Sequence, residues 1–339
     1  MNRLLDYVDI ENDKDYILID VRSPKEYKTA TIPGAINLPI FTDEEREKIG
    51  TIYVRSSTDE AKLLGVTAVS KKLPEIYEKV QKIQREYKKL IFFCERGGMR
   101  SSSLVSFLLT IGINAFKLHG GYKGYRNYIN KALPEEIEKL RFVVIHGNTG
   151  VGKTKILKNL EEKGLDVLDL EGCANHRGSL FGDVGLGKQN SQKQFESLVY
   201  HCLKNRKTDI VFTEAESKRI GHIIMPKFLH EALLNGRHIN VVANINSRVE
   251  NIKEDYIKEG NDEEIIKCIN RLEKYISKAR IEEYTNAILD KNYEKVIEDL
   301  MIKYYDPMYE NKEYNYEFET NSSNIDFACD EIEKWINTI

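Results

Sequence analysis

Short apolar runs recur along this chain at intervals too long for hairpins, and that spacing limits the fold more than any other feature. Residues 16–21 (YILIDV), 90–94 (LIFFC) and 114–118 (NAFKL) form one series, and the stretches between them have helical spacing. Such short, largely apolar runs suit strands buried on both faces, and strands alternating with helices pair in parallel. The series restarts with residues 142–145, 166–170, 209–213 and 239–244. Residues 134–140, polar and helical in spacing, read as a linker between the two series. The sequence therefore predicts an α/β protein of two parallel-sheet domains, over 1–133 and 141–290, followed by a helical, acidic segment over 291–339. A length of 339 residues fits two domains at roughly 150 residues each. Residues 43–89 are expected to be helical, with a break near Pro74.

Composition narrows the class. Charged residues make up 31% and the apolar set 41%, a globular balance and not a disordered one. No apolar run approaches the ~20 residues of a membrane span, and the first residues lack an apolar stretch of signal-peptide length. A cytoplasmic protein without a membrane partner is expected. The five cysteines (Cys94, Cys173, Cys202, Cys268, Cys329) are widely spaced with no Cys-x-x-Cys pair, which suits a reducing compartment and argues against a structural zinc site. The net charge of −3 hides an asymmetry: residues 1–280 hold 46 Lys+Arg against 39 Asp+Glu, net +7, and residues 281–339 hold 5 against 15, net −10. A mildly basic body is compatible with nucleic acid without requiring it.

The first chemical site is Cys94-Glu-Arg96-Gly97-Gly98-Met-Arg100-Ser101. A cysteine ends a buried strand, two glycines permit a tight turn, and a helix begins at Arg100 or Ser101. Amides gathered beside a helix N-terminus bind anions. They also lower a cysteine pKa from ~8.5 into the range of roughly 3.5–7.5, so that the thiolate lies under a bound oxyanion ready to attack. Arg96 and Arg100 supply forked donors for that anion. The other four cysteines read as packed, inert residues.

The second site is Gly147-Asn148-Thr149-Gly150-Val151-Gly152-Lys153-Thr154, a full match to the P-loop pattern in its required setting, after a strand and before a helix. Its amides cradle phosphates, Lys153 adds a point charge, and Thr154 can hold Mg²⁺. Glu214 and Glu216, after the run 209–213, are candidate metal or base groups. In residues 168–182 (LDLEGCANHRGSLFG), His176, Arg177, Gly178 and Ser179 follow a strand among glycines and suit a ligand or tRNA loop. Basic residues within 267–280 form a helix face, solvated or RNA-facing. The aromatic cluster at 304–309 is either core or a surface for bases.

Two families are resembled. Asp20-Val-Arg22-Ser23-Pro24-x-Glu26-Tyr27 with Ile32-Pro-Gly-Ala-Ile-Asn37 resembles the first motif of rhodanese domains, where Cys94 takes the persulfide-forming position. Thr29-Ala30-Thr31 stands where that family commonly has Gly-His. The Cys-x5-Arg loop is one residue longer than the common sulfurtransferase loop and looks like that of cysteine phosphatases, with room for a phosphate-sized anion. The whole chain resembles the tRNA 2-selenouridine synthases, through the cysteine loop, the P-loop, residues 169–182, Glu214-Ala-Glu216-Ser217 and Tyr305-Asp306-Pro307. Glu95 replaces a common Trp.

That resemblance implies a transferase acting on tRNA with a wobble 2-thiouridine. The sulfur is alkylated with geranyl diphosphate, and the S-geranyl group is then replaced by selenium from selenophosphate. It implies two phosphorylated cosubstrates and no tightly bound cofactor, with a selenophosphate-supplying enzyme as a further partner. The residues alone also fit an ATP-dependent tRNA sulfurtransferase carrying a Cys94 persulfide, a phosphatase- or kinase-like regulator, or a nucleotide-gated binding protein.

Overall fold

A computed structural model describes residues 3–13, 15–258, 260–309 and 314–338. The chain divides into two compact units, Met1–Leu133 with Glu196–Leu198, and Pro134–Phe195 with Val199–Ile339.

In the first unit, strands β1 (Leu4–Leu5), β2 (Tyr16–Asp20), β3 (Ile36–Asn37), β4 (Lys89–Phe93) and β5 (Ala115–Leu118) form a parallel sheet in the order β1-β5-β4-β2-β3. Ile19 lies opposite Phe92. Ile17, Ile19, Leu90 and Phe92 bury one sheet face against Leu104, Val105 and Leu108 of the helix Met99–Thr110 and against Ile76 and Val80. The strand order reverses direction at β2 and β4, and in open α/β sheets ligands bind beyond the carboxyl ends of strands at such a point. Cys94 directly follows β4.

The break in the long helical stretch falls elsewhere than expected. Asp43–Arg55 and Thr58–Gln84 are separate helices, and the second runs through Pro74. Ser57 caps that second helix, accepting from the Glu60 N–H at 3.3 Å. An interior proline costs a helix about 3 kcal/mol, and here Ile76 and Val80, fully buried just beyond it, hold the helix together by packing. The expected linker is in part the end of a longer helix, Gly121–Ile137, that passes through Pro134.

In the second unit, β6 (Arg141–His146), β7 (Val167–Leu168), β8 (Ile210–Glu214), β11 (Arg237–Val242) and β12 (Phe318–Asn321) are parallel in the order β12-β11-β6-β8-β7. A two-stranded hairpin joins β9 (Arg219–Ile220) to β10 (Ile223–Ile224). β6 lies in the middle and leads into the P-loop. The chain's last part is largely helical, as expected, and it also supplies a strand that the sequence reading did not include. β12 extends the sheet beside β11, and Cys329, Ile332 and Ile336 of the helix Ile325–Ile336 share one core with Ile156, Leu157 and Leu160 of the helix Lys153–Glu162. Residues 310–313 of that segment lie outside the described residues. Helices over 262–300 build a second core with Phe181 and Val184. Among the described residues no helix is long and apolar enough to cross a membrane.

Candidate active sites

The first site grows from Asp20 at the end of β2. Arg22 is buried and lies across Asp20, with Nε at 3.0 Å from Oδ1 and Nη2 at 2.7 Å from Oδ2. Its remaining donors reach the Ala30 carbonyl at 2.6 Å and Glu95 at 2.9 Å, and its guanidinium lies over the Tyr122 ring at 4.2 Å. A buried carboxylate needs such partners. Two residues that depart from the family patterns take part here: Thr31 donates to Asp20 at 2.9 Å, and Glu95, next to the cysteine, ties the loop to Arg22.

Cys94 is buried, with Sγ 3.3 Å from the Ser101 hydroxyl. The loop turns through Gly97 at φ +61°, where a Cβ would stand 3.1 Å from the Leu118 carbonyl oxygen. Its start is fixed by Tyr122 and Lys123, whose N–H groups donate to the carbonyls of Cys94 and Glu95 at 2.9 and 2.8 Å. Among the described residues, none of the backbone N–H groups of residues 95–101 donates to a protein acceptor. Gly98 and Ser101 thus belong to a nest of donors at the start of the helix Met99–Thr110, the arrangement that binds oxyanions.

The two arginines part company. Arg96 is exposed. Arg100 grips Glu26 at 2.7 and 3.2 Å, so it ties the loop to the first motif and is not the freely forked anion donor expected. Burial by itself would raise the Glu26 carboxyl, but the bond from Arg100 holds it below its ordinary value. Burial pushes the Cys202, Cys268 and Cys329 thiols up to about 11 and Cys173 well up too, which disfavours each as a thiolate.

At the second site, Gly147, Gly150 and Gly152 all have positive φ (+146°, +84° and +86°), which lets the loop wrap around a phosphate. Lys153 Nζ lies 2.8 Å from the Gly147 carbonyl, and Thr154 Oγ1 lies 3.4 Å from Glu171. The loop is clamped from outside by residues without a sequence signal. Arg248 Nε donates to the Thr149 carbonyl at 2.9 Å, Asn251 to Gly150 at 2.8 Å and Ser322 to Val151 at 2.6 Å.

A cavity of about 560 Å³ opens on the P-loop. Its lining includes Glu171 and Glu216, and the side chains of His146, Tyr304, Tyr305, Met308, Tyr314 and Tyr316. The aromatic cluster expected at 304–309 therefore contributes to this lining, while the Tyr309 side chain lies outside the described residues. Glu214 stands behind the cavity, buried, accepting from the Glu171 N–H at 2.7 Å while its Oε2 has no partner. Burial, and then the Glu216 charge, push Glu171 up to about 8, and burial raises Glu214 well above its ordinary value. Sequence reasoning singled out Glu214 and Glu216 and missed Glu171.

The loop 176–179 divides. Arg177, Gly178 and Ser179 line the cavity, but the Arg177 guanidinium is spent on the Val184 and Asp255 carbonyls at 2.9 and 3.0 Å. His176 is not in the wall. It is buried with Nδ1 unpartnered, and burial lowers its pKa. No cluster of three His, Cys, Asp or Glu among the described residues is placed to hold a metal.

A cysteine loop and a P-loop, each following a central parallel strand, are the marks of a rhodanese domain joined to a P-loop domain. The sequence comparisons carry this further: residues 5–128 match the rhodanese-like domain, and residues 140–268 match the tRNA 2-selenouridine synthase AAA domain. The tRNA 2-selenouridine synthase of Pseudomonas syringae pv. syringae is 32% identical over 94% of this chain and 92% of its own, and that of Sulfurovum sp. 31% over 94% of each. The N-terminal domain of a Clostridium difficile 630 protein is 37% identical over 37% of this chain and 98% of its own, with a TM-score of 0.36. The chain belongs to the tRNA 2-selenouridine synthase family, and is an enzyme.

Proposed function

We propose that the enzyme works on cytoplasmic tRNA carrying a wobble 2-thiouridine, in two chemical stages served by its two anion loops. The observation that carries this reading is the presence of two amide-lined loops, residues 95–101 and the P-loop, in a family named for making 2-selenouridine in tRNA.

In the first stage geranyl diphosphate lies in the P-loop. The thiocarbonyl sulfur attacks the allylic carbon, the C–S bond forms and the C–O bond breaks, with its electron pair leaving on the diphosphate and the N3 proton of the base lost to solvent. Lys153 and the loop amides stabilise that charge as it develops. The hard hydroxyl oxygen of Thr154 suits Mg²⁺, which keeps most of its shell as water and substrate phosphate. When bound, the ion would supply further positive charge to the diphosphate.

In the second stage selenophosphate lies at the Cys94 loop; the selenide it yields adds to C2, the C–S bond breaks and the geranyl thiolate leaves. Taking selenium from phosphorus as the neutral element would leave phosphite. Breaking the P–Se bond with its electron pair on selenium leaves phosphorus at its own oxidation level. In this reading the Cys94 thiolate takes the phosphoryl group, forming S–P as P–Se breaks, and water then returns the thiol and phosphate. A loop one residue longer than the common sulfurtransferase loop suits a tetrahedral phosphate.

Nucleoside mass spectrometry after incubation with thiolated tRNA, geranyl diphosphate and selenophosphate tests the reading. S-geranyl-2-thiouridine is expected with geranyl diphosphate alone, and 2-selenouridine only with both donors. Selenation of 2-thiouridine without geranyl diphosphate would overturn the two-stage order.

A further inference from the structure

A second cavity, of about 60 Å³, lies among the helices behind the P-loop. It shares Thr149, Ser179, Ile252, Tyr256 and Tyr305 with the phosphate cavity, so the two meet along one wall. Beyond that wall its lining is apolar, Phe181 beside aliphatic residues that include Ile269, Ile288, Val296, Leu300 and Met301, all buried. Protein interiors pack at crystal density and hold few voids larger than a water. A void with an apolar lining offers water no partners, stays dry, and accepts apolar guests. One flank is the wide helical turn Met301–Tyr305, a backbone form that recurs at functional sites.

We infer that this slot takes the apolar tail of the diphosphate ester whose phosphates occupy the P-loop. The inference rests on the proposed reading of the P-loop as the prenyl diphosphate site and extends it to how the tail is recognised. A phosphate cradle and a dry apolar slot with a common wall at Thr149 match a ligand charged at one end and apolar at the other. A nucleotide would present a polar sugar to the slot. The slot is smaller than the cavity of about 150 Å³ that takes a benzene ring. A ten-carbon tail therefore enters fully only as a side chain gives way, and Met301, with three rotatable bonds, is the adaptable one. Tail length is then read by how far Met301 and Leu300 can move.

Calorimetric titration of the full chain with inorganic pyrophosphate, dimethylallyl, geranyl and farnesyl diphosphates tests this without any variant. Affinity should rise from pyrophosphate to geranyl diphosphate by roughly tenfold or more, as apolar burial requires. Met301→Phe should reduce that gain while leaving pyrophosphate affinity unchanged, and Met301→Ala should move the preference toward farnesyl diphosphate. Equal affinity for pyrophosphate and geranyl diphosphate in the natural protein would make the slot a packing void and overturn the inference, while leaving the P-loop reading intact if Lys153→Ala abolishes both. Unchanged pyrophosphate binding in Lys153→Ala would instead remove the P-loop reading, and the slot assignment with it.

Discussion

Asp306 holds Arg248 with both carboxylate oxygens, at 2.6 and 2.9 Å, and Arg248 in turn holds the Thr149 carbonyl of the P-loop. A residue from the Tyr-Asp-Pro segment thus sets the shape of a loop more than a hundred residues earlier in the chain. Asp306→Asn should cost roughly 1.5–3 kcal/mol, the range for a hydrogen bond to a charged group. It should raise KM for geranyl diphosphate while leaving selenation of already geranylated tRNA unchanged. Steady-state kinetics on the two half-reactions decides this, and equal damage to both would show a general fold defect.

Cys94→Ser should stop selenation while S-geranylated tRNA still forms and accumulates, because alkylation of a thiocarbonyl needs no protein nucleophile. Arg100→Lys should reduce the same stage by about 10–100-fold through loss of the two-pronged grip on Glu26. Chromatography of digested tRNA gives the answer. Selenouridine from Cys94→Ser would remove the thiol from the mechanism.

The raised Glu171 pKa makes stability depend on pH. An unfolded glutamate has its ordinary pKa near 4.5 and the folded one about 8. Between these values the folded state binds more protons, so stability should fall as pH rises from about 4.5 to 8 and level off above. Glu171→Gln should flatten that slope. Thermal unfolding at a series of pH values measures both, and a stability that rises over this window with no change in the variant would count against a protonated Glu171.

The tRNA complex should depend on the net +7 body of residues 1–280 and weaken by at least roughly tenfold between 50 and 200 mM salt, as counterion release demands. Filter binding with thiolated tRNA provides the slope. A flat response would leave the RNA interaction without its electrostatic basis.

What the sequence disclosed follows from what each element must bury. β2, β4, β6 and β8 are short apolar runs and could be read directly. β12 could not: its residues Phe318-Glu-Thr-Asn321 leave every second side chain exposed at a sheet edge, so it carries no apolar signature, and the C-terminal segment looked purely helical. β1 is two residues long. The two anion loops were legible because glycines and a nucleophile or lysine must lie close together in sequence. Their clamps were not. Arg248, Asn251 and Ser322 act across long stretches of chain, and each taken alone reads as an ordinary polar residue. Arg100 shows the converse, since its spacing suggested an anion donor while a carboxylate in the first motif had claimed it.

The place of β12 has a consequence for how the protein is made. Synthesis proceeds from the N-terminus and domains generally fold as they emerge. The P-loop is translated early, yet Ser322, which holds its Val151 carbonyl, and β12, which covers the edge of β11, come from the far end of the chain. Until those residues leave the ribosome, β11 presents an unpaired parallel edge of the kind that invites association with other chains. The second unit is therefore committed to late completion. A nascent chain halted before residue 318 would carry a fully translated phosphate loop that lacks the seryl grip on Val151, and such a chain should look to chaperones for cover in the interval.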